Sequence, residues 1–176
     1  MLNKLKNKKV TKCLLCSNKK LKQIFYLGNF YVSNFVSKKN ISKGNIKCPL
    51  NLLYCKKCTL IQLSHIAPQE LMYRRFYWYK SGVTKTMRDG LKELYSSSLK
   101  NIKLKKKDTV LDIGANDGTL LKYYKKNFIT IGCEPAKNLT KSLKKNCKYV
   151  IDNFWSYENL FKILKKNNLS KNKIIT

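Results

Sequence analysis

The chain has 176 residues and a formal net charge of +29, with 38 basic residues against 9 acidic ones. The length indicates one domain or two small ones, and the 43% hydrophobic content excludes a wholly disordered chain. The sequence has no apolar run of the roughly 18 residues that a spanning helix needs, and no apolar segment behind its basic start that would indicate a secretion signal. We therefore expect a cytoplasmic protein with no membrane partner.

Lysine carries the charge, since only Arg74, Arg75 and Arg88 among the basic residues are arginines. Surfaces that bind nucleic acid favour arginine, whose planar fork contacts phosphates and bases bidentately. The chain is also crowded with Asn and Ile, so the charge is typical of an AT-rich coding bias, and we do not expect nucleic acid as a partner. Residues 1–69 contain no acid, so each acid further along the chain is a rare and informative event.

After a basic tail at residues 1–10, a zinc-binding domain is predicted over residues 11–72. The seven cysteines are an odd number without a secretion signal, which disfavours a disulfide framework. Two C-x2-C pairs can each present two thiolates from one tight turn and together close a tetrahedral structural site. The predicted zinc ligands are Cys13, Cys16, Cys55 and Cys58. Two unrelated pairs or a redox pair are the alternative, and Cys48 and His65 are interpreted as packed residues.

The segment between the two cysteine pairs is longer than in the usual zinc ribbon. It has 38 residues, against the 15–20 of that motif. The insert must therefore form a small structure of its own, and we expect its aromatic side chains to supply a core. These are Phe25, Tyr26, Phe30, Tyr31 and Phe35.

An aromatic and helical linker is predicted at residues 73–106. Residues 67–81 read APQELMYRRFYWYKS, and a helix with Thr84 as N-cap is expected over residues 84–99. By composition alone, packing between domains and a role in substrate binding are equally good explanations of the aromatic cluster.

Residues 107–176 alternate between strand and helix patterns, which indicates an α/β fold. The expected strands are Thr109–Ile113, Phe128–Cys133, Lys148–Ile151 and the opening of one more at Lys173–Thr176. A helix is expected at Thr119–Lys126. Another helix is expected with an apolar face of Tyr157, Leu160, Phe161 and Leu164.

A strand, a glycine turn and a helix in succession are typical of folds that bind dinucleotides or nucleosides. The turn reads D-x-G-x-N-x-G from Asp112 to Gly118, and an acid at that strand end suits a ligand ammonium group. Glu134 lies 20 residues after Gly114, where an acid can accept the ribose hydroxyls, and Asn153 with Phe154 can contact an adenine. An adenosyl group with an amino-acid tail describes S-adenosylmethionine. The alternative is another nucleotide-binding α/β domain.

The order of these motifs resembles the zinc-containing C-methyltransferases that modify nucleotide-linked deoxy-keto sugars. The stretches CPLNLLYCKKCTLIQL, FYWYKSG, VLDIGANDGTLL and GCEP carry the resemblance. It implies a small four-cysteine domain followed by a class I, Rossmann-like methyltransferase domain, with Tyr77 and Tyr79 as catalytic residues at the active-site entrance. The implied cofactor-binding residues are Ser81, Asp112, Gly114, Ala115, Asn116, Asp117, Gly118, Glu134, Pro135, Asn153 and Phe154.

The resemblance implies carbanion methylation, in which a base removes the proton alpha to the sugar ketone and the enolate takes the methyl group. The sequence departs from the family because its only histidine is His65, so the family's histidine base has no counterpart here. We expect residues 107–176 to be the first part of a methyltransferase domain, in a chain that represents an N-terminal fragment. An RNA-directed zinc-bearing methyltransferase and a non-enzymatic zinc-binding module remain the alternatives.

Overall fold

The computed structural model of the protein describes residues 6–32, 46–74, 76–169 and 172–176. The chain divides into two compact units, Met1–Met72 and Tyr73–Thr176. The boundary lies inside a π-helical turn at Glu70–Arg74. No helix of the described ranges is long and apolar enough to cross a membrane.

The first unit is built from short antiparallel strands. A two-stranded sheet pairs β1 (Lys8–Lys9) with β5 (His65–Ile66), so the segment predicted as a basic tail contains a strand of this unit. A three-stranded sheet has the order β2, β3, β4, which are Leu21–Tyr31, Lys47–Cys55 and Ile61–Leu63. The cysteine pairs lie in the turns that precede β2 and that connect β3 to β4.

The expected aromatic core of the insert is wrong. Strands β2 and β3 form a long hairpin on which Phe25, Tyr26, Phe30 and Tyr31 are 50–58% exposed. Only the last part of β3 is paired on its other side, where residues 52–54 meet β4. Within the residues that the structure describes, the rest of the hairpin is a two-stranded ribbon, and its aromatic rings are open to solvent. Phe35 lies outside the described residues.

The second unit is an α/β layer structure around a parallel sheet. Helix α1 (Lys85–Asn101) begins at the predicted N-cap Thr84, whose hydroxyl accepts a hydrogen bond from the Met87 amide. Strands and helices then alternate: β6 (Thr109–Ile113), α2 (Thr119–Tyr124), β7 (Ile129–Cys133), α3 (Thr140–Asn146), β8 (Tyr149–Ile151), α4 (Tyr157–Lys166) and β9 (Asn172–Ile175). Helix α2 ends two residues before the predicted Lys126.

The four strands are parallel in the order β8, β7, β6, β9. Successive residues of β6 point to opposite faces, and both faces are buried. Val110 packs with Leu121, Tyr124 and Leu143 on one face, whereas Leu111 packs with Ile131 and Leu160 on the other. The chain order reverses between β6 and β9, which places a crevice at the carboxyl ends of these strands.

The prediction that one apolar face of α4 contacts the sheet is confirmed for two of its four residues and wrong for the other two. Leu160 is buried and Leu164 packs beside it against the sheet. Tyr157 and Phe161 are instead 64% and 49% exposed and stack on each other, with ring centroids 5.9 Å apart. These two rings are four residues apart and form their own stripe along the helix, next to the stripe that faces the sheet.

Candidate functional sites

The four predicted ligands converge on one point of the first unit. The sulfur atoms of Cys13, Cys16, Cys55 and Cys58 all lie within 4.8 Å of one another. The Sγ atoms are 3.5 Å apart for Cys13 and Cys58, and 3.6 Å apart for Cys16 and Cys55. A tetrahedral zinc ion with Zn–S bonds of about 2.3 Å holds its sulfurs about 3.8 Å apart. The donor set therefore fits one zinc ion, with no position left for water or substrate.

The two cysteine turns have the same backbone design. In each turn the carbonyl of the first cysteine accepts a hydrogen bond from the amide four residues later, Ser17 for Cys13 and Thr59 for Cys55, both at 2.9 Å. The two donor residues, Ser17 and Thr59, have φ angles of 59° and 63°, in the left-handed region. The repeated geometry brings both thiols of each pair to the same side of its turn.

The pKa values of the cysteine thiols indicate that the cluster favours a bound cation. The backbone N–H of Cys58 is the main cause that lowers the pKa of the Cys55 thiol to about 6, and the N–H of Cys16 likewise lowers the pKa of Cys13. The N–H of Leu60 also lowers the pKa of Cys58, but burial and hydrogen bonds with the neighbouring sulfurs outweigh it and raise that pKa to about 12. The cluster stabilises the thiolate forms of Cys13 and Cys55 but disfavours that of Cys58. A divalent cation bound between the sulfurs would stabilise the thiolate form of all of them.

Two polar side chains support the cysteine turns. The side-chain oxygen of Gln62, which is 7% exposed on β4, accepts a 2.9 Å hydrogen bond from the Leu14 amide. The amide group of Asn18 donates to the Sγ atom of Cys55 at 3.6 Å. The other candidates, Cys48 and His65, lie on β3 and β5, outside the four-sulfur cluster.

A second candidate site lies at the carboxyl ends of β6 and β7. Asp112 on β6 and Glu134 directly after β7 are 9% and 6% exposed. Burial raises the pKa of Asp112; a hydrogen bond with Thr176 opposes this change and the charge of Glu134 adds to it. The Glu134 carboxylate accepts a 2.9 Å hydrogen bond from the Asn116 amide and a 2.8 Å one from the Ala136 amide. Two buried acids thus lie beside the glycine loop at the carboxyl ends of these strands.

The two glycines that bound the loop after β6 have different roles. Both adopt left-handed φ angles, 81° for Gly114 and 79° for Gly118. A Cβ on Gly114 would meet nothing within 4 Å, so this end of the loop borders open space. A Cβ on Gly118 would come within 2.8 Å of Asn146 and 3.0 Å of Leu143, so Gly118 allows α3 to pack against the loop. Ala115 between them is buried at 5% exposure.

The aromatic segment at residues 76–82, which we call the strap, is attached to this loop. The Asn116 side chain accepts a 3.0 Å hydrogen bond from the Ser81 amide and donates a 3.1 Å one to the Tyr79 carbonyl. Asn138, in the segment after β7, accepts a 2.9 Å bond from the Tyr77 amide and donates a 3.0 Å one to the Tyr77 carbonyl. The strap therefore runs along the edge of the sheet that carries the acids.

The end of the strap is held against the loop by Asp117. Its carboxylate accepts hydrogen bonds from the Gly82 amide at 2.9 Å and from the Thr119 hydroxyl at 2.6 Å. A Cβ on Gly82 would lie 2.6 Å from the Thr119 hydroxyl oxygen, so only glycine permits this approach. Next to it a cleft of about 590 Å³ opens, whose lining includes the cationic side chains of Arg88, Lys122 and Lys126 as well as the carboxylate of Asp117.

The remaining predicted site residues lie at the same edge. Asn153, after β8, accepts a 2.8 Å hydrogen bond from the Arg74 guanidinium, and its side-chain oxygen also accepts the Phe154 amide at 2.9 Å. Pro135 and Phe154 are half-buried. The structure thus collects the predicted cofactor residues along one edge of the second unit.

Sequence reasoning missed Asn138, Gly82 and Gln62. Asn138 had no distinguishing signal, because asparagine is abundant throughout this chain. Gly82 does carry a signal, since a glycine directly after an aromatic cluster indicates a close backbone approach.

Comparison with known proteins supports the first site. A family model described as "Putative zinc binding domain", named Methyltransf_13, matches residues 13–73. A comparison with curated proteins finds no match to the chain. The family match and the four-cysteine cluster together identify the first unit as a zinc-binding domain of methyltransferase-related type.

Proposed function

We propose that this protein is an S-adenosylmethionine-dependent methyltransferase that acts on carbon of a nucleotide-linked keto sugar, with a structural zinc ion in its first unit. The observation that carries the proposal is the convergence of Asp112, Glu134 and the loop from Gly114 to Gly118 at the carboxyl ends of two adjacent parallel strands. The strand order β8, β7, β6, β9 supports it, because ligands of open parallel sheets bind where the strand order reverses.

Each end of the cofactor has a complementary group. Asp112 offers a negative charge to the ligand ammonium group. Glu134 already accepts two backbone N–H groups, but each carboxylate oxygen has two lone pairs, so it keeps capacity for the ribose hydroxyls. Asn153 and Phe154 lie after the next strand, where the adenine would follow. S-adenosylmethionine supplies an activated methyl group when bound.

The substrate side of the proposal rests on the strap and on the cleft beside it. Tyr77 and Tyr79 are anchored by their backbone groups over the same sheet edge, so their hydroxyls can orient a sugar next to the methyl donor. Arg88, Lys122 and Lys126 line the neighbouring cleft and suit the diphosphate of a nucleotide-linked substrate. The zinc site is closed and serves stability, since its four sulfurs leave no coordination position for chemistry.

Calorimetric titration of the zinc-loaded chain with S-adenosylhomocysteine tests the proposal. We expect one site, and an affinity about 10–150-fold lower in Glu134→Gln, because a hydrogen bond to a charged group is worth about 1.5–3 kcal/mol. Glu93→Gln is the matched control, since Glu93 is an exposed residue of α1. Equal affinities in the two variants, or no binding heat at all, would contradict the proposal.

Transfer of a labelled methyl group identifies the acceptor. Label recovered on a nucleotide-linked keto sugar, and not on total RNA, would support the proposal. Labelling of RNA with a steep salt dependence would favour the RNA-directed alternative. Absence of S-adenosylhomocysteine binding would count against both methyltransferase hypotheses and favour the non-enzymatic zinc module.

A further inference from the structure

The strap is held to the sheet edge through its main chain. The Asn138 side chain binds the backbone of Tyr77. The Asn116 side chain binds the backbone of Tyr79 and Ser81. The Asp117 carboxylate accepts a hydrogen bond from the Gly82 amide. Because the backbone is held, the side chains of the strap need not anchor it. Trp78 and Tyr79 remain 56% and 44% exposed.

Asn116 links the strap to the buried acid. Its backbone amide donates to Glu134 Oε2 at 2.9 Å, while its side chain holds both Ser81 and Tyr79. The residue is 7% exposed and has a φ angle of 51°, a conformation that asparagine and glycine adopt more readily than other residues. A continuous path of two hydrogen bonds therefore joins Glu134 to the Tyr79 main chain.

We propose that Asn116 is a positioning residue that fixes the strap relative to the Glu134 pocket, so that filling the pocket and ordering the strap are coupled. The ligand part of this inference rests on the proposed function. A ligand that engages Glu134 restrains the loop at Asn116, and the same residue then restrains Tyr79 and Ser81. By reciprocity, a strap held in place favours ligand binding.

The two tryptophans of the chain make the strap observable. Trp78 lies in the strap and Trp155 lies outside it, 42% exposed, so Trp155→Phe leaves a protein whose fluorescence reports Trp78 alone. In this parent protein, quenching by acrylamide measures how freely the strap leaves the sheet edge. Calorimetry with S-adenosylhomocysteine runs in parallel and measures occupancy of the pocket independently.

Asn116→Gly is the test variant, because glycine accepts the left-handed backbone and only the side-chain bonds are lost. The variant loses the two side-chain hydrogen bonds that hold the strap and a local one from the Asp117 amide. Each net hydrogen bond is worth about a fivefold change in an equilibrium constant, so losing the two strap bonds should shift the equilibrium about 25-fold toward a released strap. Because Trp78 is already 56% exposed, its quenching constant should rise by at most about twofold. S-adenosylhomocysteine should lower quenching in the parent and leave it unchanged in Asn116→Gly. Asn101→Ala is the matched control, since its amide bonds only to Ser97 within α1, and it should behave as the parent.

Quenching that is equal in Asn116→Gly and the parent overturns the inference. Quenching that rises in the variant but does not respond to bound S-adenosylhomocysteine in the parent overturns the coupling. If calorimetry shows no binding while quenching still rises in the variant, the proposed function fails and the positioning of the strap by Asn116 stands. Should Asn116→Gly lose helical circular dichroism, Asn116→Asp carries the same test, because it keeps an acceptor for the Ser81 amide and loses the donor to the Tyr79 carbonyl, so quenching should rise by a smaller factor.

Discussion

The two units of the chain are stabilised by different means. The second unit buries two hydrophobic clusters, one on each face of its parallel sheet. In the described part of the first unit, the buried apolar residues are only Val10, Cys13, Cys55 and Leu71, and two of these are ligands of the cluster. A short chain with so small a core usually needs a metal or a disulfide. Zinc therefore takes the place of a hydrophobic core in the first unit.

The two candidate sites differ in the same way. The four sulfurs enclose their ion completely, which suits stability. The loop after β6 borders open space at Gly114 and lies between two buried acids, which suits a ligand that comes and goes. We expect loss of the first site to cost structure, and loss of the second to cost binding.

The largest effect is expected for Cys55→Ser. Structural zinc contributes about 10–16 kcal/mol to the folding of small zinc domains, so removal of one buried ligand should release the ion and unfold the first unit. Zinc measured by atomic emission after dialysis should fall from one ion per chain to nearly none. Cys48→Ser, on the same strand but outside the cluster, should retain the ion; equal zinc in both variants would refute the assignment.

Leu143→Ala should destabilise the second unit by about 2–5 kcal/mol, because the side chain is fully buried in the cluster between the sheet and its helices. Urea unfolding of the zinc-loaded chain, followed by helical circular dichroism, measures the change. Leu94→Ala on α1 is the control, since Leu94 is 45% exposed and should cost less than about 1 kcal/mol. A small effect at Leu143 would remove the contrast between the two units.

Asp112→Asn should stabilise the second unit in a pH-dependent way. Burial raises the pKa of Asp112 in the folded chain, so the folded state holds this proton more tightly than the unfolded state does. The resulting stability is present below the unfolded pKa and is lost as the pH rises through the raised folded value. The variant should therefore gain stability over the natural chain as the pH is raised from below the ordinary carboxyl pKa into the neutral range. Urea midpoints across this range measure the gain, and a difference that does not vary with pH would contradict it.

The smallest effect is expected for Phe25→Ser. This ring is 51% exposed on the hairpin, so its removal should change stability by less than about 0.5 kcal/mol. Thermal unfolding of the zinc-loaded chain measures it. A loss above about 2 kcal/mol would restore the aromatic core that the sequence predicted and would weaken the case for a metal-centred unit.

The sequence predicts the second unit well because its signals are local. Apolar runs of β6, β7 and β8 are bounded by glycine or acid, and the cap at Thr84 begins α1 at its predicted place. The cysteine pairs are equally visible, since two C-x2-C pairs are the ligand pattern of a four-cysteine zinc site.

Residues whose roles depend on tertiary neighbours could not be predicted. The aromatic residues of the hairpin have the composition of a core, but the structure of the described residues leaves these side chains about half exposed. Asn138 and Asn116 hold the strap through contacts 35 to 61 residues apart in the chain, which no local pattern records. The periodicity of α4 likewise contains two adjacent apolar stripes and does not say which of them meets the sheet.

Hydrogen exchange of the full chain, with and without a zinc chelator, tests directly whether zinc stabilises the first unit. We predict that chelation removes protection from amides of β3 and β4 in the first unit and leaves those of β6 and β7 in the second unit unchanged. Protection of β3 and β4 that survives complete removal of zinc would contradict the account, because those strands would then be held by something other than the ion.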